Sequence, residues 1–248
     1  MDMMLLETLE LVKTYSGRTV VNQISVLVHE HEIVGLLGRN GAGKTTTFRM
    51  IIGMISPDKG RIYFEGREIT RMPMYQRARL GMGYLSQEPS VFQRLSVEQN
   101  LLAILETMSL TRSARRQRAA ELIEQFDLSR VRRQQARLLS GGERRKLEIA
   151  RALITNPSLI LLDEPFSGVD PIAVEDLQKE IRHLHDKGIS ILITDHNVER
   201  TLEVVDHAYI INDGSVLAYG APKELVNDPL VRKTYLGQTF RGDEFDRS

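Results

Sequence analysis

Apolar positions along the chain follow two rhythms. Residues 19–38, "TVVNQISVLVHEHEIVGLLG", are dense in β-branched side chains and run into a glycine cluster, which predicts a buried strand ending at the glycines. "GRIYFEG" at 60–66 reads as a second strand, set off by the breakers Pro57 and Gly60. From Ser96 to Pro157 the pattern turns helical: Ser96 and Gln99 have capping-box spacing, and an Arg- and Ala-rich stretch covers 112–125. Strand-like runs then return at "SLILLDEP" (158–165) and "ISILITDH" (189–196). Between them the spacing predicts a helix over 170–188, with Asp170 as N-cap, Pro171 in the first turn and Gly188 past the end. Its buried stripe is Val174, Leu177, Ile181 and Leu184. "AYIIND" and "SVLAYG" are short β pieces ahead of a helical tail. The pattern is α/β, interrupted by a helical insertion.

Composition narrows this picture. With 248 residues and 42% hydrophobic content there is enough apolar material for one large core, or one core with an attached lobe. Thirty-three basic residues balance 33 acidic ones, so no long-range field favours nucleic acid or an anionic surface. The absence of cysteine excludes disulfides, thiolate metal sites and thiol catalysis. The first residues lack a basic segment followed by a long apolar run, so no signal peptide is expected. No apolar run approaches the roughly 20 residues that span a bilayer, so work at a membrane would need other chains to supply the spans.

Three motifs carry chemistry. Residues 38–53, "GRNGAGKTTTFRMIIG", hold the phosphate-loop pattern from Gly38 to Thr45. Its glycines let successive backbone N–H groups wrap an anion, the following helix adds its positive end, Lys44 reaches the outer phosphates and Thr45 can ligate magnesium. "LLDEP" delivers Asp163 and Glu164 to the end of a strand; phosphoryl transfer needs one acid beside the metal and one base for the attacking water, and these are assigned to Asp163 and Glu164 in that order. "LLSGGERRKLEIARAL" places Ser140 and Glu143 at capping-box spacing around Gly141 and Gly142, a second anion site at a helix N-terminus.

With "LSGGE" intact at 139–143, the chain resembles the ATP-binding-cassette ATPases over nearly its whole length. The resemblance implies a phosphate-loop NTPase core with an N-terminal antiparallel β subdomain, spanning 1–87 and 158–248, and an inserted α-helical subdomain at 88–157. It implies ATP and Mg2+ as ligands. It also implies a head-to-tail homodimer in which the signature Ser140, Gly141, Gly142 and Glu143 serves the partner's nucleotide. Residue by residue it assigns Tyr15 to stacking on adenine, and Gly38, Arg39, Asn40, Gly41, Ala42, Gly43, Lys44, Thr45 and Thr46 to the phosphates. Thr45, Gln87 and Asp163 fall to the metal, Gln87 also reporting to the transport subunits. Glu164 is then the base, His196 the contact to the terminal phosphate and Asp170 the contact to the opposite subunit. Arg39 stands where the family commonly has proline.

Similarity over the whole length is greatest to the lipopolysaccharide-transport ATPases, through "ARLGMGYLSQEPSVFQRLSVEQNL", "LITDHNVERTLEVVDHAYII" and "VRKTYLGQTF". Similar stretches occur in ATPases of branched-chain amino-acid importers, which stay open as an alternative, as does a soluble nucleic-acid- or ribosome-associated cassette ATPase. The resemblance implies a location on the cytoplasmic face of the inner membrane, with membrane subunits docking near Phe92 and Arg94. No nucleic-acid partner is expected, because the arginine runs have no interleaved aromatics and read as a solvated helical face. His29–Glu32, "HEHE", is expected as an exposed turn rather than a metal site, and His183 and His185 as solvated.

Overall fold

The protein is described by a computed structural model over residues 3–88, 90–167 and 171–237. The chain separates into two compact units: one runs up to Tyr84 and resumes at Ser158, and the other is Leu85–Pro157.

In chain order the first unit starts with β1 (Met4–Tyr15), β2 (Arg18–Ile24), β3 (Leu27–His29), β4 (Ile33–Gly38), α1 (Lys44–Ile52), β5 (Lys59–Phe64), β6 (Arg67–Glu68), α2 (Met74–Arg79) and β7 (Met82–Leu85). The insertion carries α3 (Val97–Leu105), α4 (Arg112–Gln125) and α5 (Gly141–Ala152). The chain then returns through β8 (Leu159–Asp163), α6 (Pro171–Asp186), β9 (Ser190–Asp195), α7 (Val198–Leu202), β10 (His207–Asn212), β11 (Ser215–Gly220) and α8 (Pro222–Asn227).

Two sheets build the first unit. β1 pairs antiparallel with β2, β3 and β5, and β6 borders β5. The second sheet has the order β11-β10-β4-β9-β8-β7, and within it β10, β4, β9 and β8 run parallel. Every residue of β4, β8 and β9 is buried, as expected for parallel strands covered on both faces. Leu6, Leu11, Ile62 and Phe64 from the antiparallel sheet share one core with Leu36, Leu161 and Leu192 from the parallel one, and Phe48 and Ile51 of α1 join it. Each such side chain stabilises the fold by about 1.5–3 kcal/mol relative to exposure, which fixes α1 and the strand ends that carry the chemistry.

Helix α6 begins at Pro171 and buries Val174, Leu177, Ile181 and Leu184. It ends ahead of Gly188, whose φ of 84° is the left-handed stop a helix C-terminus favours. Asp170 lies outside the described residues.

Three expectations need correction. The turn at 29–32 is not simply exposed: Glu32 is buried, accepting from the His29 backbone N–H (2.8 Å) and pairing with His207 Nδ1 (2.8 Å). A carboxylate with two partners can be taken from water, and strand alternation does not reveal a partner 175 residues away. His185 is held too, its Nε2 3.0 Å from the His31 carbonyl. The second arginine run forms short 3₁₀ turns at Ser129–Val131 and Ala136–Leu138 instead of a helix.

Helix α2 and strand β7 were not legible in the pattern. α2 buries Arg77, whose guanidinium donates to the carbonyls of Met50, Ile51, Met72 and Thr70 and so caps the end of α1. Burial lowers its pKa to about 10.

In the second unit Ser96 caps α3 with the reciprocal Gln99 bond, and the Thr111 side chain caps α4. α4 buries Ala119, Leu122 and Ile123 and exposes Arg112 and Arg116. Among the described residues no helix is long and apolar enough to cross a membrane.

Candidate functional site

The phosphate loop leaves β4 at its carboxyl end. A Cβ at Gly38 would sit 2.3 Å from the Ile211 carbonyl oxygen, and one at Gly43 (φ 106°) would sit 2.6 Å from that of Val20, so both positions require glycine. α1 starts immediately afterwards, and Gly43 accepts from both the backbone N–H (2.9 Å) and the hydroxyl (3.0 Å) of Thr47. Lys44 is buried against the loop it follows: its Nζ donates to the carbonyls of Gly38 (2.7 Å) and Arg39 (3.1 Å). Burial lowers the pKa of this ammonium, opposed by the charges of Glu164, Asp195 and Asp163. Arg39 also closes the loop through its carbonyl, which accepts from Ala42 N (3.1 Å).

A cleft of about 440 Å³ opens over the loop, lined by Val20, Asn40, Gly41, Gly43, Lys44, Thr45, Thr46 and Glu164. Asp163, at the end of β8, is 7% exposed and accepts from the Tyr84 hydroxyl (3.1 Å). Burial raises its pKa, and the Tyr84 bond opposes the shift. Tyr84 itself is pushed up to about 12, first by burial and then by the Asp163 charge. Glu164 has φ 47°, a left-handed conformation that a residue with a Cβ adopts only at a cost, held by its N–H donating to Thr194 O (2.7 Å). That twist turns successive carboxylates different ways: Asp163 into the sheet end, Glu164 into the cleft. His196 Nδ1 lies 3.6 Å from Glu164 Oε2 and 3.7 Å from Asp195 Oδ1.

The structure thus gathers Lys44, Thr45, Thr46, Glu164 and, beside Glu164, His196 at one strand-end region. Tyr15 ends β1 and is 46% exposed, on the hairpin whose β2 contributes Val20 to the cleft. The second unit carries the others. Gln87 is exposed just beyond β7. Ser140 caps α5: its Oγ accepts from Glu143 N (3.3 Å), and Glu143 Oε2 accepts from Ser140 N and from the Ser140 hydroxyl (2.8 Å each). Those bonds, the hydroxyl's foremost, hold the Glu143 carboxyl below its ordinary range. Among the described residues a Cβ on Gly141 or Gly142 would meet nothing within 4 Å. Phe92 is 45% exposed, with the Arg151 guanidinium 4.7 Å from its ring centroid.

Sequence reasoning missed Tyr84, Val20, Asp195 and Tyr235. Asp195 is fully buried and accepts from Phe166 N (2.9 Å) and Asn197 N (2.8 Å), tying the segments after β8 and β9 together. Its adjacency to His196 in "ITDHN" was the available signal. Tyr235 donates nothing to the pattern reading, yet its hydroxyl accepts from Gly38 N at 2.9 Å.

A family model described as ABC transporter matches residues 21–167. The chain is 52% identical over 237 residues to the lipopolysaccharide export system ATP-binding protein LptB of Acidithiobacillus ferridurans, covering 96% of this chain and 98% of that one. To the protein of the same name in Escherichia coli K12 it is 51% identical over 232 residues, covering 93% and 96%. Among solved structures, an ATP-binding cassette of an ABC transporter in its ADP conformation superposes with a TM-score of 0.85 at 29% identity, covering 95% of this chain and all of that one.

Proposed function

The chain belongs to the ABC transporter family, among its ATP-binding cassette ATPases, and on that premise we propose that it powers lipopolysaccharide export by binding and hydrolysing ATP as a homodimer. The export assignment is supported by identity above one half with two export ATPases across nearly their full length. The ATPase chemistry is carried by one observation: Lys44 and Glu164 line the same cleft, with Asp163 alongside Glu164 on β8.

In this reading the loop N–H groups of residues 38–46 and the Lys44 ammonium bind the phosphates. Lys44 exchanges two carbonyl partners for phosphate oxygens, a charge-assisted contact in a site that already withholds water from it. Tyr15 stacks on adenine. Glu164 orients a water and takes its proton as the water oxygen bonds to the terminal phosphorus and the bond to the ADP oxygen breaks. His196, within 4 Å of Glu164, holds that carboxylate in position and reaches the terminal phosphate. The donor set fits magnesium: the Thr45 hydroxyl and the buried Asp163 carboxylate are hard oxygen ligands, of the kind this ion completes with phosphate oxygens and water, and Gln87 is assigned to the metal by the family resemblance alone. Bound there, Mg2+ would supply positive charge to neutralise the phosphates.

The signature is read as acting on a second copy. Among the described residues nothing packs where a Cβ on Gly141 or Gly142 would sit, yet both lie at a capped helix N-terminus with exposed donors, which suits close approach by a nucleotide held elsewhere. Asp170 would meet the opposite subunit. Phe92 and Arg94 would meet membrane subunits, placing the chain on the cytoplasmic face of the inner membrane, and no nucleic acid takes part. The test is Glu164→Gln: turnover of Mg-ATP falls by roughly 10²- to 10⁴-fold while ATP affinity is retained. Parent-like turnover would remove Glu164 from the base role.

A further inference from the structure

The β4–β9 ladder ends with Leu37 opposite Asp195. The next backbone N–H, that of Gly38, donates to the Tyr235 hydroxyl, 197 residues further along the chain. The same Gly38 peptide region is fixed twice more: its carbonyl accepts from Lys44 Nζ, and its α-carbon lies too close to Ile211 O for any side chain. The first glycine of the loop is therefore held from the strand side, from the loop side and from the C-terminal segment.

That segment is built to present a side chain. Asp228 Oδ1 accepts from Leu230 N (2.7 Å) and Val231 N (3.0 Å), Val231 is fully buried, and Arg232 NH1 donates to Val226 O (3.0 Å). Arg232–Leu236 then forms a single π-helical turn, closed by Gly237 N donating to Arg232 O (2.9 Å). A π turn is a costly local form that recurs at functional sites, and here it sets Tyr235 against Gly38. Burial pushes the pKa of the phenol up, so the hydroxyl stays neutral across the working pH range.

We infer that Tyr235 is a positioning residue of the nucleotide site: its hydroxyl holds Gly38 so that the phosphate loop is ordered before nucleotide arrives. Arg39, unlike a proline, leaves its own backbone torsion free, and the external tie supplies rigidity at the adjacent residue. Ordering the loop in advance lowers the cost of binding, so the hydroxyl acts on nucleotide affinity more than on the chemical step. The inference rests on the reading that this loop holds nucleotide phosphates.

The experiment compares the full-length parent with Tyr235→Phe, which removes one oxygen and keeps the ring, and with Tyr75→Phe on an exposed site as control. Fluorescent ADP titration gives Kd, steady-state hydrolysis gives KM and kcat, and thermal unfolding is followed with and without ADP. The expected result is a Kd and KM raised roughly 3- to 10-fold, the worth of one net hydrogen bond, with kcat at saturation within about twofold of the parent. Nucleotide-free melting should fall modestly, because the Gly38 N–H loses its partner, and the ADP-induced shift should shrink. An unchanged Kd in a parent that binds ADP would overturn the inference. So would a lower nucleotide-free melting temperature with parent-like Kd and KM, since that is a packing role alone. A parent that binds no ADP would overturn the functional reading and, with it, this inference.

Discussion

Asn100 holds the loop that displays Phe92, and its replacement by alanine has a cost that can be worked from the contacts. The side chain is fully buried at the start of α3. Its Oδ1 accepts from Phe92 N (2.8 Å), and its Nδ2 donates to the carbonyls of Phe92 (3.0 Å), Ser96 (3.0 Å) and Leu95 (3.3 Å). Alanine strips all four bonds, but the three carbonyls keep other donors: Leu95 N for Phe92, Asn100 N for Ser96 and Ala136 N for Leu95. What is orphaned is the Phe92 N–H. One unsatisfied buried group costs about 1–3 kcal/mol, and water reaching a loop whose aromatic is half exposed keeps the figure near the middle, about 2 kcal/mol. Asn100→Ala should therefore lower unfolding stability in urea by about that amount and speed hydrogen exchange at the Phe92 amide by about 30-fold, the same free energy expressed as a local opening. Asn100→Asp keeps the acceptor but buries a charge, and should cost at least as much. If Asn100→Ala lies within about 0.5 kcal/mol of the parent, or the Phe92 amide keeps its protection, Asn100 does not organise this loop.

Asp163→Asn should raise the melting temperature of the nucleotide-free protein at pH 7. Burial raises the folded-state pKa of this carboxyl above its unfolded value, so its charged form costs stability at neutral pH. The advantage should shrink as pH falls through that raised pKa and the parent's own carboxyl protonates; a variant that melts lower at pH 7, or gains as acid is added, contradicts this. For the shared sites, Lys44→Ala and Ser140→Arg chains, each inactive alone, should recover activity when mixed, because one composite site per mixed dimer is intact. No recovery with mixed dimers verified would exclude sharing of the signature between copies.

The parts of this molecule that sequence made legible are those set by short-range physics. The strand before the loop, the α6 stripe, the Ser96 and Ser140 caps and the loop glycines are each encoded within a dozen residues, by periodicity or by backbone demand. The parts that stayed hidden are pairings across long separations. Tyr84 lies in "MGYL", too short for a period to show, and it matters only because Asp163 is opposite, 79 residues away. Glu32 looked like an exposed acid because His207 was out of view. Tyr235 sits in a helical tail that nothing local ties to a phosphate loop. Resemblance supplied roles for Gln87 and His196 that their own neighbourhoods do not reveal.

Several departures from local rules lie around the cleft, and their kind separates function from architecture. Glu164 occupies a left-handed conformation without being glycine, Asp163 and Asp195 are carboxyls whose burial disfavours their charge, and Lys44 is an ammonium with its pKa lowered by burial. A comparable departure occurs at Arg77, a fully buried guanidinium, yet its meaning differs. Arg77 donates to four carbonyls and completes the end of α1, so its charge is accounted for within the fold and needs nothing further. Among the described residues Lys44 has two carbonyls for three protons, and it opens on a cleft that Glu164 also lines. Strain alone would have pointed to both places equally. Between these two, incomplete satisfaction singles out the cleft, because a buried ammonium with a donor to spare beside a cavity is completed when an anion arrives. The cost of holding it ready falls on the empty protein, which is why the same cleft should be stabilised most by the ligand it is shaped to receive.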